Sequence, residues 1–230
     1  MTAPMPTDAP KNGSLRPLQT EPRGLHVVQI GYDDSVFADH GPSDTIERQL
    51  LYLRELERRA PQSTMTMLTL TQRPALSPRE IQGVHFIPFP YRRWIQIPMV
   101  VLRALRQLHT NHPIDLLTTQ TVHEDCLGAL FFLGRTPVPL IGQIHYDLFD
   151  RAARRENLGN GVRGAIRYFL TLQCLRRCTM LKTDAQRTAD HIISKGLHSN
   201  VHAIPIPVTM LQELLPPRGH AGNEQRVLFV

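Results

Sequence analysis

Short apolar runs alternate with amphipathic helical patterns along most of the chain, and this alternation limits the fold more than any other feature. Seven runs have the length and composition of buried strands, at residues 25–30, 63–71, 84–89, 114–119, 138–144, 179–183 and 201–206. Helical patterns separate most of these runs, so consecutive strands are expected to lie parallel with right-handed crossovers. The expected fold class is α/β, with a parallel sheet of about seven strands and helices on both faces.

The helical stripes lie at residues 44–58, 98–108, 123–132, 162–175 and 184–195. Ser43 or Asp44 suits the N-cap of the first helix, Pro98 suits a first turn, and Asp184 suits the cap of the last helix. The stretch between Asp147 and about Gly161 is polar and is expected to form a loop.

Proline content and polarity divide the chain into three parts. Residues 1–23 are rich in proline and poor in apolar side chains, which predicts a disordered tail. Residues 24–208 hold the strands and helices. Residues 209–230 have linker composition and end in a short apolar run, which is expected to be the first strand of a C-terminal domain missing from this chain.

The chain carries a formal charge of +6, from 26 Lys and Arg against 20 Asp and Glu. This surplus favours an anionic partner, and a solvated arginine-rich surface explains it equally well. A single Trp gives little support for base stacking, so no nucleic-acid partner is expected. No apolar run reaches the roughly 18–20 residues of a membrane span and no signal peptide is recognisable. A cytoplasmic protein, peripheral to the membrane at most, is expected.

Several motifs of other α/β proteins do not occur. The sequence contains no Gly-x-Gly-x-x-Gly after the first strand, no P-loop and no Gly-x-Ser-x-Gly elbow. Cys126, Cys174 and Cys178 form neither a disulfide framework nor a metal motif, so buried reduced thiols are expected.

Residues 137–147, with the sequence PVPLIGQIHYD, bring a histidine to a functional position. His145 and Asp147 follow the carboxyl end of a predicted buried strand, and ligands of open α/β sheets bind just beyond such ends. An imidazole donates or accepts hydrogen bonds at cellular pH. We predict both as catalytic residues. Asp147 either orients His145 or binds substrate hydroxyls, and a plain loop or capping role fits it equally well.

Four stretches in order resemble the N-terminal domain of the two-domain GT-B glycosyltransferases, in particular the retaining family 4. Residues 25–30 (LHVVQI) are similar to its opening strand, and residues 41–50 (GPSDTIERQL) to its glycine loop and helix. Residues 137–147 resemble its strand ending in His-x-Asp. The passage into the interdomain linker is matched by residues 180–184 (MLKTD), Gly196, residues 203–208 (AIPIPV) and residues 227–230.

The resemblance covers about residues 25–208 and implies the Rossmann-like half of a GT-B fold. In this family the nucleotide-sugar donor binds mostly to the C-terminal domain through a Glu-x7-Glu element and basic residues. The sugar or lipid-linked acceptor binds to the N-terminal domain, and no metal or other cofactor is required. The resemblance thus implies the acceptor-binding half of a retaining glycosyltransferase of polysaccharide biosynthesis, inactive without a separate donor domain.

The resemblance also implies roles for single residues. His145 lies near the transferred sugar, and the donor- or acceptor-binding candidates are Gly41, Ser43, Arg48, His123 and Thr183. Gly41 lets backbone N–H groups approach the donor phosphates at a helix N-terminus. Its loop departs from the family pattern by having one Gly followed by a Pro, so an ordinary turn is the competing interpretation.

Arg92, Arg93 and Trp94 open a basic aromatic segment before the helix at Pro98. Such a segment suits an anionic membrane surface, whereas a stripe packed on the sheet with solvated arginines is the alternative. Two other functions stay open from the sequence. One is a non-catalytic module that docks on a membrane or a separate donor subunit, and the other is a two-domain sugar-nucleotide epimerase.

Overall fold

The computed structural model describes residues 24–38 and 43–205, which contain eight strands and six α-helices. The strands are β1 (His26–Gly31), β2 (Thr64–Thr71), β3 (Arg79–Ile81), β4 (Val84–Pro90), β5 (Leu116–Thr119), β6 (Leu140–Ile144), β7 (Met180–Thr183) and β8 (Val201–Ala203). The helices are α1 (Asp44–Arg59), α2 (Ile97–Asn111), α3 (Glu124–Leu133), α4 (Arg151–Leu158), α5 (Gly161–Leu175) and α6 (Gln186–Ser194). The predictions for residues 1–23, Gly41 and residues 209–230 lie outside the described residues.

All eight strands form one sheet in the order β3-β4-β2-β1-β5-β6-β7-β8. Every neighbouring pair except β3–β4 is parallel, which confirms the predicted α/β class. β2 and β4 extend to one side of β1, and β5 to β8 extend to the other. The strand order therefore reverses between β1 and β5, and this switch point is where ligands of open α/β sheets bind.

β3 was not predicted from the sequence. It has three residues, and two of them, Arg79 and Glu80, are exposed. It pairs antiparallel with the start of β4 through a tight hairpin. Gln82 and Gly83 form the turn with φ angles of 47° and 84°, the left-handed pair that a type I′ turn requires.

Pro88 and Pro90 lie within β4, although they were expected to close a strand ending at residue 89. The backbone N–H of Tyr91 donates to the carbonyl oxygen of Thr71 at 2.9 Å, so odd-numbered residues of this strand direct their N–H groups toward β2. Both proline nitrogens consequently face away from β2. No ladder hydrogen bond to β2 is lost, and the strand continues.

The two faces of the sheet carry separate cores. α1 covers the face of β1, β2 and β4 and buries a cluster that includes Leu53, Met67 and Phe86. The opposite face carries the larger core, beneath α2, α3, α5 and α6. The first face is open over β5 to β7 among the described residues, where Leu116, Ile141 and others line a groove of about 470 Å³.

Residues 148–161 do not form the predicted polar loop, because α4 occupies most of this stretch. Its N-cap is Asp150, whose side-chain Oδ1 accepts a hydrogen bond from the N–H of Ala153 at 2.8 Å. Leu158 is its single buried residue, and Gly159 ends it with a φ of 87°. One buried residue leaves no helical stripe to recognise in the sequence.

Candidate functional site

A cavity of about 320 Å³ opens at the switch point, beyond the carboxyl ends of β1, β5 and β6. Tyr32 follows β1, residues 120–123 follow β5, and His145 and Tyr146 follow β6. The rest of the lining comes mainly from the β4–α2 connection and from α4 and α5: Tyr91, Trp94, Ile97, Gln143, Asn157, Arg163 and Arg167.

His145 lies on the rim of this cavity, with a third of its side chain exposed. Its Nδ1 is 2.7 Å from Oδ2 of Asp184, which follows the neighbouring strand β7. An ionised carboxylate only accepts hydrogen bonds, so Nδ1 carries the hydrogen and donates it. The other ring nitrogen, Nε2, has no hydrogen-bond partner among the described residues and is available to a ligand.

Asp184, and not Asp147, therefore orients His145. This also corrects the expectation that Asp184 caps α6, because the N-cap is Ala185 and it makes no side-chain capping bond. The parallel register pairs Ile144 of β6 with Thr183 of β7, so the residues that follow these two strands become neighbours.

Asp147 has a local structural role. Its Oδ1 accepts a hydrogen bond from the backbone N–H of Phe149 at 2.9 Å. Its Oδ2 lies 3.4 Å from Nδ1 of His191 and 3.8 Å from Nε of Arg187 on α6. Asp147 also lines a smaller cavity of about 270 Å³ on the other side of His145, so a role with substrate hydroxyls stays a prediction.

His123 lines the inner wall of the large cavity, and only 4% of its surface is exposed. Thr171 donates its hydroxyl hydrogen to the carbonyl of Arg167, so its oxygen accepts from His123 Nδ1 at 2.8 Å. His123 Nε2 then accepts from the Tyr146 hydroxyl at 3.3 Å. Burial, assisted by the charge of Arg167, lowers the pKa of His123 to about 4, so the ring is neutral at pH 7.

Arg167 enters the cavity wall as half of a buried ion pair. Its Nε and Nη2 donate to Oε1 and Oε2 of Glu124 at 2.6 and 3.0 Å, and Glu124 is 1% exposed. Its Nη1 donates to the carbonyls of Asn157 and Leu158 at 3.2 and 3.4 Å. The positive charge is thus compensated, and the pair connects α3, α4 and α5.

The predicted membrane-surface residues separate in the structure. Arg92 and Arg93 are exposed, whereas the Trp94 ring forms part of the cavity wall. The Arg163 guanidinium carbon lies 5.2 Å from the centroid of the Trp94 ring, a cation–π contact. Trp94 thus belongs to the cavity, and a membrane role for the two arginines stays a prediction.

Ser43 and Arg48 do not line the cavity. Ser43 caps α1, with its Oγ accepting from the N–H of Ile46 at 3.2 Å. The Nε of Arg48 lies 3.1 Å from Oδ2 of Asp44 one turn earlier. Gly41 lies outside the described residues, so a donor-phosphate role for this helix N-terminus stays a prediction.

Thr183 is fully buried, and its hydroxyl donates to the carbonyl of Ala185 at 3.0 Å, so it does not reach the cavity. Sequence reasoning missed Asp184, Tyr146, Arg163 and Arg167 as cavity or rim residues. For Asp184 a signal existed, since it directly follows a predicted strand. The two arginines give no such signal, because a helical arginine on an exposed face has the same local pattern.

Two kinds of site are absent from the described part of the chain. No group of three or more His, Cys, Asp or Glu side chains is arranged to hold a metal ion. No helix within residues 24–38 and 43–205 combines the length and apolar character needed to cross a bilayer.

The sequence matches the model of Glycosyltransferase Family 4 over residues 49–210, which is more than half of the chain. The chain belongs to this family, and the resemblance inferred from its motifs is confirmed. Among curated proteins, none matches the sequence at a significant level.

Solved glycosyltransferase structures share the fold. Sucrose-phosphate synthase from Thermosynechococcus elongatus is 14% identical with a TM-score of 0.57, over 84% of this chain and 53% of that one. The lipopolysaccharide outer core galactosyltransferase WaaB is 12% identical with a TM-score of 0.53, over 80% of this chain and 46% of that one. The chain thus spans about half the length of each. At these identities the likeness establishes the Rossmann-like GT-B fold and nothing finer.

Proposed function

We propose that this chain is the acceptor-binding half of a retaining glycosyltransferase that uses a nucleotide-sugar donor and no metal. The observation that carries the proposal is the His145–Asp184 pair on the rim of a sugar-sized cavity, in a chain of Glycosyltransferase Family 4. A cavity at the switch point of the sheet is the expected ligand site. We assign donor binding to a second domain and expect little activity without it.

The proposed reaction joins an acceptor hydroxyl to the anomeric carbon of the donor sugar. The bond from that carbon to the diphosphate oxygen breaks, and the acceptor hydroxyl passes its proton to that oxygen as the nucleoside diphosphate leaves. His145, held by Asp184 through Nδ1, uses Nε2 to hydrogen-bond the sugar being transferred. A preorganised hydrogen-bonding group of this kind acts by favouring the charge distribution of the transition state.

Transfer activity of histidine variants tests this proposal. The complete encoded product, including any donor domain read in frame, is assayed for transfer of labelled sugar from UDP-glucose, UDP-galactose and GDP-mannose to acceptors in a cell extract. We expect His145→Ala to reduce transfer about a hundredfold. Asp184→Asn is expected to give a smaller loss, because the ring keeps its place but loses the fixed carboxylate.

His85→Ala is the matched control, because His85 lies on β4 with its side chain about half exposed and does not line the cavity. Full activity of the His145→Ala variant would contradict the proposal. If the assay yields an epimerised free nucleotide sugar and no sugar linked to an acceptor, the activity is epimerisation and not transfer.

We infer docking on an anionic membrane as a second candidate function, independent of catalysis. The observation that favours it is a pair of exposed apolar side chains, Ile95 and Met99, which are 67% and 47% exposed and follow the exposed Arg92 and Arg93. Apolar side chains beside arginines suit the boundary between lipid headgroups and acyl chains.

Co-sedimentation with vesicles tests this second function. Binding to phosphatidylcholine vesicles is expected only when phosphatidylglycerol is added, and the double change Arg92→Glu with Arg93→Glu is expected to abolish it. The matched control changes two adjacent exposed arginines of α1, Arg58→Glu with Arg59→Glu. No sedimentation of the unmodified chain with anionic vesicles would remove the membrane role.

A further inference from the structure

We propose that the acceptor sugar bound in the cavity carries a phosphate group, and that Arg163, stacked on Trp94, binds that phosphate. The inference rests on the proposed function, because it specifies the acceptor of the same cavity. It is based on the charges along the cavity wall, on the N–H groups of Arg163 that have no acceptor among the described residues, and on the chemistry of the other lining residues.

The cavity wall has one positive charge that no carboxylate compensates. Among the residues that the structure describes, the cavity lining contains two arginines and no Asp or Glu. Arg167 is neutralised by Glu124, which accepts two hydrogen bonds from it and is almost completely buried. His123 is buried and neutral at pH 7. Arg163 is therefore the arginine of the described lining that has no carboxylate partner, and its charge favours an anionic ligand at that point of the wall.

Arg163 has its hydrogen-bonding capacity available. Within residues 24–38 and 43–205, its guanidinium has no hydrogen-bond acceptor and no ion-pair partner, and its one specific contact is the Trp94 ring at 5.2 Å. Stacking on an aromatic ring restricts a guanidinium without using its N–H groups. Two parallel N–H groups match two oxygens of a phosphate, so a stacked arginine is a preorganised phosphate ligand.

The rest of the lining fits a sugar ring. Tyr32, Tyr91 and Trp94 provide aromatic surfaces for the apolar face of a pyranose. Gln120 places an amide group in the same cavity for hydroxyls. The volume of about 320 Å³ lies at the lower end of the range for small-molecule sites, which suits a single sugar with its phosphate.

Two kinds of acceptor carry a sugar together with a phosphate, and both present the phosphate to Arg163. One is a soluble sugar monophosphate, and the other is a sugar joined to a lipid through phosphate. The shared prediction is that binding requires both the sugar and the phosphate. Probes of the two kinds distinguish the sources.

Calorimetric titration of the complete protein with glucose 1-phosphate, glucose 6-phosphate and mannose 6-phosphate tests the soluble source. At least one is expected to bind about tenfold or more tightly than glucose or mannose, and Arg163→Gln is expected to remove this preference. Arg163→Lys keeps the charge but not the planar fork, so an intermediate affinity is expected. Arg103→Gln is the control, because Arg103 is exposed on α2 and does not line the cavity.

Vesicles of phosphatidylcholine that contain polyprenyl phosphoglucose test the lipid-linked source. Binding to these vesicles that depends on Arg163, with no binding of the soluble monophosphates, assigns the acceptor to a lipid. Equal affinities of the Arg163→Gln variant and the unmodified protein for every phosphate probe would overturn the inference. Equally tight binding of neutral hexoses, glucuronate or inorganic phosphate would also overturn it.

The failure of this inference is distinguishable from the failure of the proposed function. Transfer to a neutral acceptor that depends on His145 but not on Arg163 overturns the phosphate inference and leaves the glycosyltransferase proposal in place. Phosphate-sugar binding that depends on Arg163, without transfer from any of the three donors, supports the binding site and counts against the proposed activity.

Discussion

At the scale of single residues, burial sets the charge state of the groups at the start of α3. Burial lowers the pKa of His123 to about 4, and it raises the pKa of Asp125 to about 6 against hydrogen bonds from Thr121 that favour the ionised form. The two shifts have opposite consequences for folding. The neutral His123 keeps the hydrogen bond that holds Tyr146 against the cavity wall.

The stability of the protein is expected to depend on pH through His123. The unfolded chain protonates this ring near pH 6.5 and the folded chain near pH 4, so acidification between these values favours unfolding by up to about 1.4 kcal/mol per pH unit. Asp125 acts in the opposite sense, because its folded-state pKa is raised and its ionisation destabilises the fold as the pH increases from about 4 to 6. Comparing the unmodified protein with a variant at position 123 separates the contribution of His123 to this pH dependence from that of Asp125.

We expect His123→Gln to be less stable than the natural chain at about pH 7, with a difference that shrinks by roughly 1–2 kcal/mol at about pH 5. Urea unfolding at the two pH values measures this. His85→Gln is the control, because about half of this side chain is exposed. A difference at position 123 that stays constant between the two pH values would show that the buried ring does not titrate as inferred.

At the scale of elements, the close approach of α2 and α3 positions the cavity wall. Gly128 makes this approach possible, since a Cβ there would lie 2.6 Å from Cβ of Val101 and 2.7 Å from the carbonyl oxygen of Pro98. α2 and α3 begin at the carboxyl edge of the sheet. Ile97 is the first residue of α2, His123 directly precedes α3, and both line the cavity. The spacing of these helices therefore affects the site directly.

Gly128→Ala is expected to destabilise the protein by about 1–3 kcal/mol through overpacking, although alanine is the better helix former. Chemical denaturation measures the change. Gly134→Ala is the matched control, because Gly134 ends α3 with a φ of −57° and a Cβ there would meet no atom closer than 3.7 Å. Equal stabilities of the two variants would mean that the helices separate at little cost.

At the scale of the whole molecule, three free cysteines report on the integrity of the larger core. Cys126 and Cys174 are fully buried and Cys178 is 6% exposed, in agreement with the expectation of buried thiols. Hydrogen bonding with the neighbouring thiols and burial raise the pKa of Cys126 well above its usual value. A buried protonated thiol reacts slowly, so modification requires opening of the fold.

Ellman's reagent is expected to label no cysteine rapidly in the native protein and all three in guanidinium chloride, since the chain contains three. The rate in native buffer should follow the opening of the core, and Gly128→Ala should increase it because this variant is less stable. Immediate labelling of one thiol in the unmodified protein would show that this part of the core is open.

The sequence predicted the elements well where burial leaves a regular pattern. Strands such as β1 and β6 read as apolar runs, and α1 and α2 read as stripes. β3 and α4 were not predicted, because they bury few side chains. The candidate site was predicted only in part. His123 and His145 were recognised at strand ends. Asp147 was one candidate for orienting His145, whereas the residue that does so, Asp184, follows the adjacent strand and was predicted only as a helix cap.

The sequence by itself determined the fold class, the family and the strand that carries His145, because each depends on local periodicity or on motifs within a few residues. Only the tertiary structure decided which groups meet. Parallel pairing of β6 with β7 places Asp184 beside His145, and packing of the β4–α2 connection against α5 places Trp94 beneath Arg163. These contacts join residues that lie 39 and 69 positions apart, a separation that no local pattern encodes.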